Sequence, residues 1–201
     1  ELVTYWQNEF DWRAQEQLLN RYPQFKTDVD GTAIHFWHIK GKGPNPKPLV
    51  MTHGWPSLFC EFHKLIEPLS DPETHGGNAE DAFDVIIPSL PGYGFSQISD
   101  EPGMNPMRMA ELWAGLMTKL GYDQFFLDGG DWGSFLSALV AYLFPQRVLG
   151  LHVTMMSVAP PPSSAPKQTP TEIDEAKAAK RKERAKWAAR ETGYSAIQST
   201  K

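Results

Sequence analysis

The sequence contains a single cysteine, Cys60, among its 201 residues. A lone cysteine excludes an intrachain disulfide framework and agrees with a reducing compartment. Cys60 stands among aromatic residues in SLFCEF, a setting typical of a buried thiol and not of a nucleophile. We therefore expect neither a disulfide scaffold nor cysteine-based catalysis.

The sequence also lacks an uninterrupted apolar run of the roughly 18 residues that a membrane span needs, and it shows no signal peptide. The formal net charge is -5, so the chain has no general attraction for nucleic acids or anionic membranes. These absences predict a cytoplasmic chain without a nucleic-acid partner. Because the sequence begins at Glu1 and not at methionine, membrane association through an upstream anchor is kept as an alternative.

Apolar residues make up 41% of the sequence and aromatic residues 12%, enough to bury a core. Strand-like apolar runs occur in KPLVMT, FDVIIP, QFFLDG and VLGLHV, and segments with helical spacing separate them, namely FCEFHKLIEPL, NPMRMAELWAGLMTKLGY and SFLSALVAYLFP. The second of these segments has Asn105 as a plausible N-cap, Pro106 at the first helical position and Gly121 at its end. Strands that alternate with helices predict parallel pairing in an α/β fold.

Residues 1–47 precede this alternating region and predict an N-terminal arm. The arm begins with one or two short amphipathic helices that end at Pro23, and two strands follow around a tight turn at Asp30 and Gly31. Residues 48–158 then form the α/β core.

Residues 159–171 are rich in proline and predict a linker that cannot form a core. Thr169, Pro170 and Glu172 make a capping box, so a charged helix should begin there, within the last predicted segment, residues 172–201. Glutamates interrupt its basic cluster, which favours a solvated helix face over a nucleic-acid site.

The strand-to-helix turn at Asp131 is the strongest candidate for chemistry. A GxSxG sequence at such a turn presents the nucleophile of serine hydrolases, and here Asp131 takes the place of the serine between Gly129 and Gly133. An aspartate is ionised at neutral pH and can attack an electrophilic carbon to give an ester, which water then cleaves. The turn predicts a hydrolase of epoxides or alkyl halides, with a structural N-capping aspartate as the alternative.

THGWP follows the first core strand, where such a hydrolase needs a backbone N–H to stabilise an oxyanion. We expect the amides of Trp55 and Trp132 to form this oxyanion hole. PSLPGYGFS follows the second core strand at the same sheet edge, where ligands bind in open α/β folds. The two loops give the candidate substrate-binding residues, with a structural histidine and a core tyrosine as alternatives for two of them: His53, Gly54, Pro56, Tyr93 and Phe95.

HGWPSLFCEF, VIIPSLPGYGFS and GGDWGS, preceded by NEFDWRAQEQLLNRYPQFKTDVDGTAIHFWHIK, resemble α/β-hydrolase epoxide hydrolases of the microsomal and fungal class. The resemblance implies the N-terminal part of an α/β-hydrolase core, an N-terminal meander arm, and the start of a helical cap over residues 172–201. It implies Asp131 as nucleophile, a small-molecule epoxide as substrate, and neither a cofactor nor a metal. ETGYSAIQSTK looks like the family's cap segment with a catalytic tyrosine, so Tyr194 is the candidate proton donor.

The sequence departs from this family because it stops at Lys201. The family's histidine, its acidic partner and a second tyrosine follow the cap, and none of the six histidines here is a convincing substitute. Without the histidine, water is not activated against the ester. The expectation is a half-site that is alkylated without turnover, in a fragment that needs a homodimer partner or a complementing C-terminal segment.

Three hypotheses follow. The first is an epoxide hydrolase, or a piece of one, that makes vicinal diols for detoxification or the catabolism of aromatic compounds. The second is a haloalkane dehalogenase, in which the indole of Trp132 would bind halide. The third is a noncatalytic binding fragment, suggested by the absent histidine. The N-terminal arm and Tyr194 favour the first, since halide departure needs no proton donor.

Overall fold

The computed structural model describes residues 1–98, residues 102–155 and the helix 172–191, of which the side chains of residues 178–187 are described. The chain divides into two compact units, Glu1–Ser157 and Val158–Lys201. In the first unit, helices and strands alternate much as the sequence predicts.

The N-terminal region consists of two short helices and a hairpin. The side chain of Asp11 accepts a hydrogen bond from the Ala14 amide at 3.0 Å and so caps the second helix. The hairpin turns at Asp30 and Gly31, both with positive φ, as the sequence predicts. The bounds are α1 Leu2–Asn8, α2 Trp12–Leu19, β1 Gln24–Val29 and β2 Thr32–Ile39.

The remaining strands of this unit alternate with helices. The bounds are β3 Lys47–Thr52, α3 Ile66–Ser70, β4 Phe83–Pro88, α4 Pro106–Lys119, β5 Phe125–Gly129, α5 Trp132–Leu143 and β6 Val148–Val153. Asn105 caps α4 through its side chain, which accepts from the Arg108 amide at 3.1 Å. Gly121, just beyond α4, has φ +83, as expected of a glycine that ends a helix.

One six-stranded sheet contains all of these strands, in the order β1-β2-β4-β3-β5-β6. The neighbours β3–β4, β3–β5 and β5–β6 are parallel, as predicted. The hairpin differs from this pattern, because β2 pairs antiparallel with β4 from Phe36 opposite Pro88 to Ile39 opposite Val85. The predicted boundary between arm and core, at residue 47, therefore falls inside one continuous sheet.

The segment FCEFHKLIEPL does not form the single helix that its spacing predicts. It forms a 3₁₀ turn at Phe59–Phe62 and the short helix α3. Phe59, Phe62 and Ile66 are all buried in one cluster with Trp37. The apolar spacing is therefore satisfied by two short turns, and a continuous helix is not needed to bury these side chains.

The sheet is covered on both sides, but unevenly. On one side, α4 and α5 pack Trp113, Leu116 and Leu136 against buried residues of the sheet. On the other side, α3 and the 3₁₀ turn cover β3 and β4 and leave the part near β5 and β6 open. We call this opening the β5–β6 groove; its volume is about 520 Å³, and it is lined by Leu49, Met51, Leu65, Leu69, Phe83, Phe126, Leu127, Asp128, Gly150, Leu151 and His152.

The second unit contains the helix α6, Glu172–Glu191. Its described side chains, residues 178–187, are all exposed, which agrees with the solvated face that its charges predict. Thr169 and Pro170 of the predicted capping box lie outside the described residues. Among the helices that the structure describes, none has both the length and the apolar character to cross a membrane.

Candidate functional site

The turn between β5 and α5 holds Asp131 in a conformation that is rare for a residue with a side chain. Its backbone angles are φ 49 and ψ -124, whereas non-glycine residues almost always have negative φ. Strain of this kind costs about 1–3 kcal/mol and persists only where the surrounding structure enforces it. Asp131 thus lies at the sharp turn that the glycine pattern predicts.

Three glycines enforce this turn because the backbone passes too closely for a side chain. A Cβ atom at Gly133 would lie 1.8 Å from the carbonyl oxygen of Thr52, and one at Gly129 would lie 2.3 Å from the backbone of Gly133. A Cβ atom at Gly54 would lie 2.4 Å from Cβ of Asp131. The glycines on either side of Asp131, and the one in the facing loop, are therefore required by geometry.

The loop after β3 contacts the Asp131 carboxylate directly. The backbone N–H of Trp55 donates a hydrogen bond to Asp131 Oδ1 at 2.9 Å. Trp132 is the first residue of α5, so its N–H belongs to the first helical turn, where amides have no acceptor within the helix. Both indoles are exposed, by 44% at Trp55 and 48% at Trp132. The structure thus gives the carboxylate one bound N–H, that of Trp55, and places the N–H of Trp132 in the helical turn that begins next to Asp131.

His53 is completely buried, and both of its ring nitrogens have hydrogen-bond partners. Nε2 accepts the amide N–H of Leu90 at 3.1 Å, so Nδ1 carries the proton and faces the carbonyl of Gly54 at 3.0 Å. Burial lowers the pKa of His53, which keeps the ring neutral. No ring nitrogen is left for a ligand, which favours the structural alternative for His53: it joins the loop after β3 to the loop after β4.

The loop after β4 places Tyr93 and Phe95 differently. Tyr93 is half-buried, with its ring centroid 5.5 Å from that of His53. Burial, and then the negative charge of Asp131, raises the pKa of Tyr93, so its phenol keeps its proton in the neighbourhood of the carboxylate. Phe95 is 61% exposed and lies 5.1 Å from the ring of His35. The ring of Phe95 therefore rests on the N-terminal hairpin, and Pro56, the remaining substrate-binding candidate, is exposed.

Two features near this edge were not predicted from the sequence. Glu61, in the 3₁₀ turn, has a raised pKa because of burial, with the charges of Asp131 and Asp128 acting in the same direction. His152 Nδ1 lies 2.6 Å from Asp128 Oδ1, across the β5–β6 pair. The register of two strands creates that pair, so no local motif could have indicated it.

The candidate proton donor Tyr194 lies outside the described residues. Among the residues that are described, no cluster of three or more His, Cys, Asp or Glu side chains could hold a metal ion. The site as described therefore consists of a carboxylate, the amides around it, and the aromatic residues of two loops.

Two family models match the chain. One, described as "alpha/beta hydrolase fold", matches residues 47–187, and the other, described as "Epoxide hydrolase N terminus", matches residues 1–62. Epoxide hydrolase 1 of Sus scrofa is 47% identical over 161 residues, which make up 78% of this chain and 36% of the Sus scrofa protein. The chain thus spans about a third of the length of this curated relative.

Solved structures agree with the sequence comparison. The crystal structure of juvenile hormone epoxide hydrolase from the silkworm Bombyx mori matches with a TM-score of 0.70 and 37% identity, covering 76% of this chain and 40% of that one. Aspergillus niger epoxide hydrolase matches with a TM-score of 0.67 and 30% identity, covering 86% of this chain and 44% of that one. The chain belongs to the α/β-hydrolase fold family, among the epoxide hydrolases that carry this N-terminal region.

Proposed function

We propose that this chain supplies the nucleophile and the oxyanion loop of an epoxide hydrolase, with Asp131 forming an ester to one carbon of a small-molecule epoxide. The observation that carries the proposal is the hydrogen bond of 2.9 Å from the Trp55 amide to Asp131 Oδ1, at a strained and glycine-lined turn. Support comes also from relatives named as epoxide hydrolases. The activity is a proposal because the chain spans 36% of the Sus scrofa protein.

The hydrogen bond assigns different tasks to the two carboxylate oxygens. Oδ1 accepts the Trp55 N–H, so the attack falls to Oδ2. As the Oδ2–C bond forms, the epoxide C–O bond breaks, and its electron pair goes to the epoxide oxygen, which then takes a proton. Oδ1 becomes the ester carbonyl oxygen and already lies against an oxyanion donor.

Hydrolysis would complete the cycle. Water adds to the ester carbonyl carbon, and negative charge develops on Oδ1, where the amides of Trp55 and Trp132 stabilise it. The bond from the carbonyl carbon to the alkoxy oxygen then breaks, which returns the Asp131 carboxylate and releases a vicinal diol. The water needs a base. None of the histidines in residues 1–201 is proposed as this base, so we propose that alkylation outpaces hydrolysis in a protein limited to these residues.

The proton for the opened epoxide oxygen has two candidate donors. Tyr194 is the candidate that the family resemblance implies. Tyr93 is a described residue whose pKa is raised by burial and by the charge of Asp131. A phenol that stays protonated at neutral pH suits this task. We propose Tyr194 as the donor and Tyr93 as part of the aromatic wall beside the epoxide.

The proposed partner is a small-molecule epoxide. A homodimer or a complementing C-terminal segment remains a proposal, and the β5–β6 groove is one apolar surface that either would cover. A noncatalytic binding fragment and a haloalkane dehalogenase are the competing functions. The dehalogenase would use the indole of Trp132, which is 48% exposed, and would release halide from an alkyl halide.

Intact-protein mass spectrometry after incubation with an aryl epoxide tests the proposal. We expect an added mass of one epoxide, which peptide mapping places on Asp131. Asp131→Asn should abolish the adduct, because an amide is a poor nucleophile and asparagine tolerates positive φ. Asp128→Asn is the matched control, a carboxylate three residues earlier, and it should keep the adduct.

Absence of the adduct in a folded sample that binds an aryl diol would favour the binding fragment. Halide release from an alkyl halide, with no reaction of the epoxide, would favour the dehalogenase. An adduct that survives in Asp131→Asn would remove Asp131 from the mechanism.

A further inference from the structure

The loop from Leu90 to Gln97, which carries Tyr93 and Phe95, is fastened to β2. The Gln97 amide donates to the carbonyl of Ala33 at 2.8 Å, and the Ala33 amide donates to Oε1 of Gln97 at 3.1 Å. We call residues 90–97 the aromatic loop. Its far end is therefore attached to the N-terminal hairpin and not to the strands that flank Asp131.

His35, two residues further along β2, holds the same loop through its backbone. Its amide donates to Ser96 Oγ at 2.9 Å, and Ser96 Oγ in turn donates to the carbonyl of Ser89 at 2.8 Å. The Ser89 amide donates a hydrogen bond to the carbonyl of His35 at 2.8 Å. The start and the end of the aromatic loop are thus tied to one residue.

The ring of His35 has a defined pair of partners. Nε2 lies 3.0 Å from Gln24 Oε1, and Nδ1 lies 2.8 Å from Ser89 Oγ. The Gln24 amide nitrogen donates to the carbonyl of Leu19 at 2.9 Å, so its oxygen is the end that faces His35 and must accept. Nε2 therefore carries the proton, and Nδ1 accepts the hydroxyl proton of Ser89.

The same ring forms the floor beneath the aromatic loop. Its centroid lies 4.8 Å from Phe59 and 5.1 Å from Phe95, both in edge-to-face contacts. Gly94 has φ +53, and a Cβ atom there would lie 2.9 Å from Ser89 Oγ. The loop therefore sits directly on the serine that His35 orients, without room for another side chain.

We propose that His35 is a positioning residue for epoxide binding, which acts through Ser89 and Phe95 to hold the aromatic loop, and with it Tyr93, beside Asp131. The proposal rests on the proposed function, since it takes the aromatic loop as one wall of the epoxide site. His35 itself touches no reacting atom in this scheme. It connects the N-terminal hairpin to the site.

Substitutions at His35 and His38 test the proposal. His35→Leu removes both ring hydrogen bonds, and His35→Asn keeps an amide that can reach Ser89. His38→Leu is the matched control, a histidine on the same strand whose Nε2 bonds to Tyr122 OH at 3.0 Å and not to the aromatic loop. The rate of Asp131 alkylation is measured against epoxide concentration for all four proteins.

We expect His35→Leu to raise the half-saturating epoxide concentration about tenfold while the maximum rate changes less than about twofold, because the wall moves and the nucleophile does not. His35→Asn should recover part of this loss, and His38→Leu should leave both constants unchanged. Equal effects of His35→Leu and His38→Leu, or a fall in the maximum rate alone, would overturn the proposal.

Hydrogen exchange of the backbone amides of residues 90–97 gives a second readout that needs no reaction. Exchange should be faster in His35→Leu than in the unmodified protein or in His38→Leu. If the unmodified protein forms no adduct, the proposed function fails, and the exchange data still decide whether His35 holds the loop. Unchanged exchange in His35→Leu would overturn that part too.

Discussion

Two buried histidines near the site act as neutral hydrogen-bonding connectors. His53 joins the loops after β3 and β4, and His35 joins the hairpin to the aromatic loop. Burial lowers both pKa values, that of His35 to about 4, with the positive charge of Lys26 as a smaller cause. Each ring uses one nitrogen as an acceptor, so protonation would break a hydrogen bond as well as bury a charge.

The lowered pKa of His35 predicts a pH-dependent stability. The unfolded chain takes up this proton near pH 6.5 and the folded chain only near pH 4, so the contribution is complete above pH 6.5 and is lost as the pH falls towards 4. The full contribution is at most about 3 kcal/mol. Urea unfolding at pH 7 and pH 4.5 should show a smaller loss of stability in His35→Gln than in the unmodified protein.

His53 is present in both the unmodified protein and His35→Gln, so its contribution to the loss of stability is the same in each. The difference between the two losses therefore reports on His35 alone. Equal losses of stability in the two proteins would contradict a folded-state pKa near 4.

The crowding around the glycines of the Asp131 turn predicts that adding one methyl group there lowers the free energy of unfolding strongly. Gly133→Ala would place a Cβ atom 1.8 Å from the Thr52 carbonyl oxygen, and the backbone must move. We expect a loss of at least about 3 kcal/mol in the free energy of unfolding. Gly31→Ala is the control, with φ +82 and open space around it, and should cost about 1–2 kcal/mol. Chemical denaturation compares the two, and similar costs would contradict the crowding.

The proximity of Asp131 and Trp55 could be predicted from the sequence, because loops that follow neighbouring parallel strands meet at one sheet edge. The hydrogen bond of 2.9 Å from the Trp55 amide to Asp131 Oδ1 confirms that the two loops are close together. The chemical roles of the two residues stay predictions. The part played by His35 could not be predicted, since its partners Gln24 and Ser89 are brought together by strand register. Local patterns predict a candidate nucleophile and do not indicate which residues hold the aromatic loop.

At the scale of elements, α4 makes a side-chain hydrogen bond to the end of the strand that leads into the site. Trp113 is fully buried, and its Nε1 donates to Thr52 Oγ1 at 3.0 Å. Thr52 ends β3, one residue before His53, and its carbonyl oxygen lies against Gly133. A helix on one side of the sheet is therefore bonded to the end of β3, where the loop that contacts Asp131 begins.

The cap of α4 gives a prediction at this scale. Asn105→Ala removes the acceptor for the Arg108 amide and should lower the free energy of unfolding by about 1 kcal/mol. Asp11→Ala, which removes the matching cap of α2, is the control. The helix α2 has no buried residue, so fraying there should hardly affect global unfolding by urea. A larger cost at Asp11 than at Asn105 would contradict this ranking.

The sequence predicts most of the helices and strands, but it does not predict how all of them pair and pack. Asn105, Pro106 and Gly121 mark the ends of α4 through local chemistry, so they can be recognised without the fold. The antiparallel pairing of β2 with β4 is a contact between distant segments, and no local pattern specifies it. The split of residues 59–70 into two turns also depends on which cluster buries their side chains.

Over the first unit as a whole, the β5–β6 groove is one of the apolar surfaces that lie open. Phe126 lies there over Gly150, where a Cβ atom would come within 2.9 Å of the ring. Leu65 lines the groove and is 47% exposed, whereas Leu149 is 45% exposed and does not line it. The two leucines therefore make a matched pair for testing the groove.

We expect an apolar fluorescent dye to bind in the groove, because contiguous apolar surface of this kind attracts apolar ligands. Leu65→Lys should lower the dye fluorescence by roughly half or more, since a charge at the rim opposes apolar binding. Leu149→Lys should change it little. Dye titration of the folded proteins measures both, and equal decreases would place the dye elsewhere.

The antiparallel β2–β4 ladder decides where this protein can be shortened. A chain that began at Lys47 would keep every residue of the alternating strands and helices, yet it would lose the partner of β4 from Val85 to Pro88. A bared apolar strand is a template for pairing with other molecules. The hairpin therefore covers the edge of β4. Removing the hairpin should make the protein prone to aggregate through that edge.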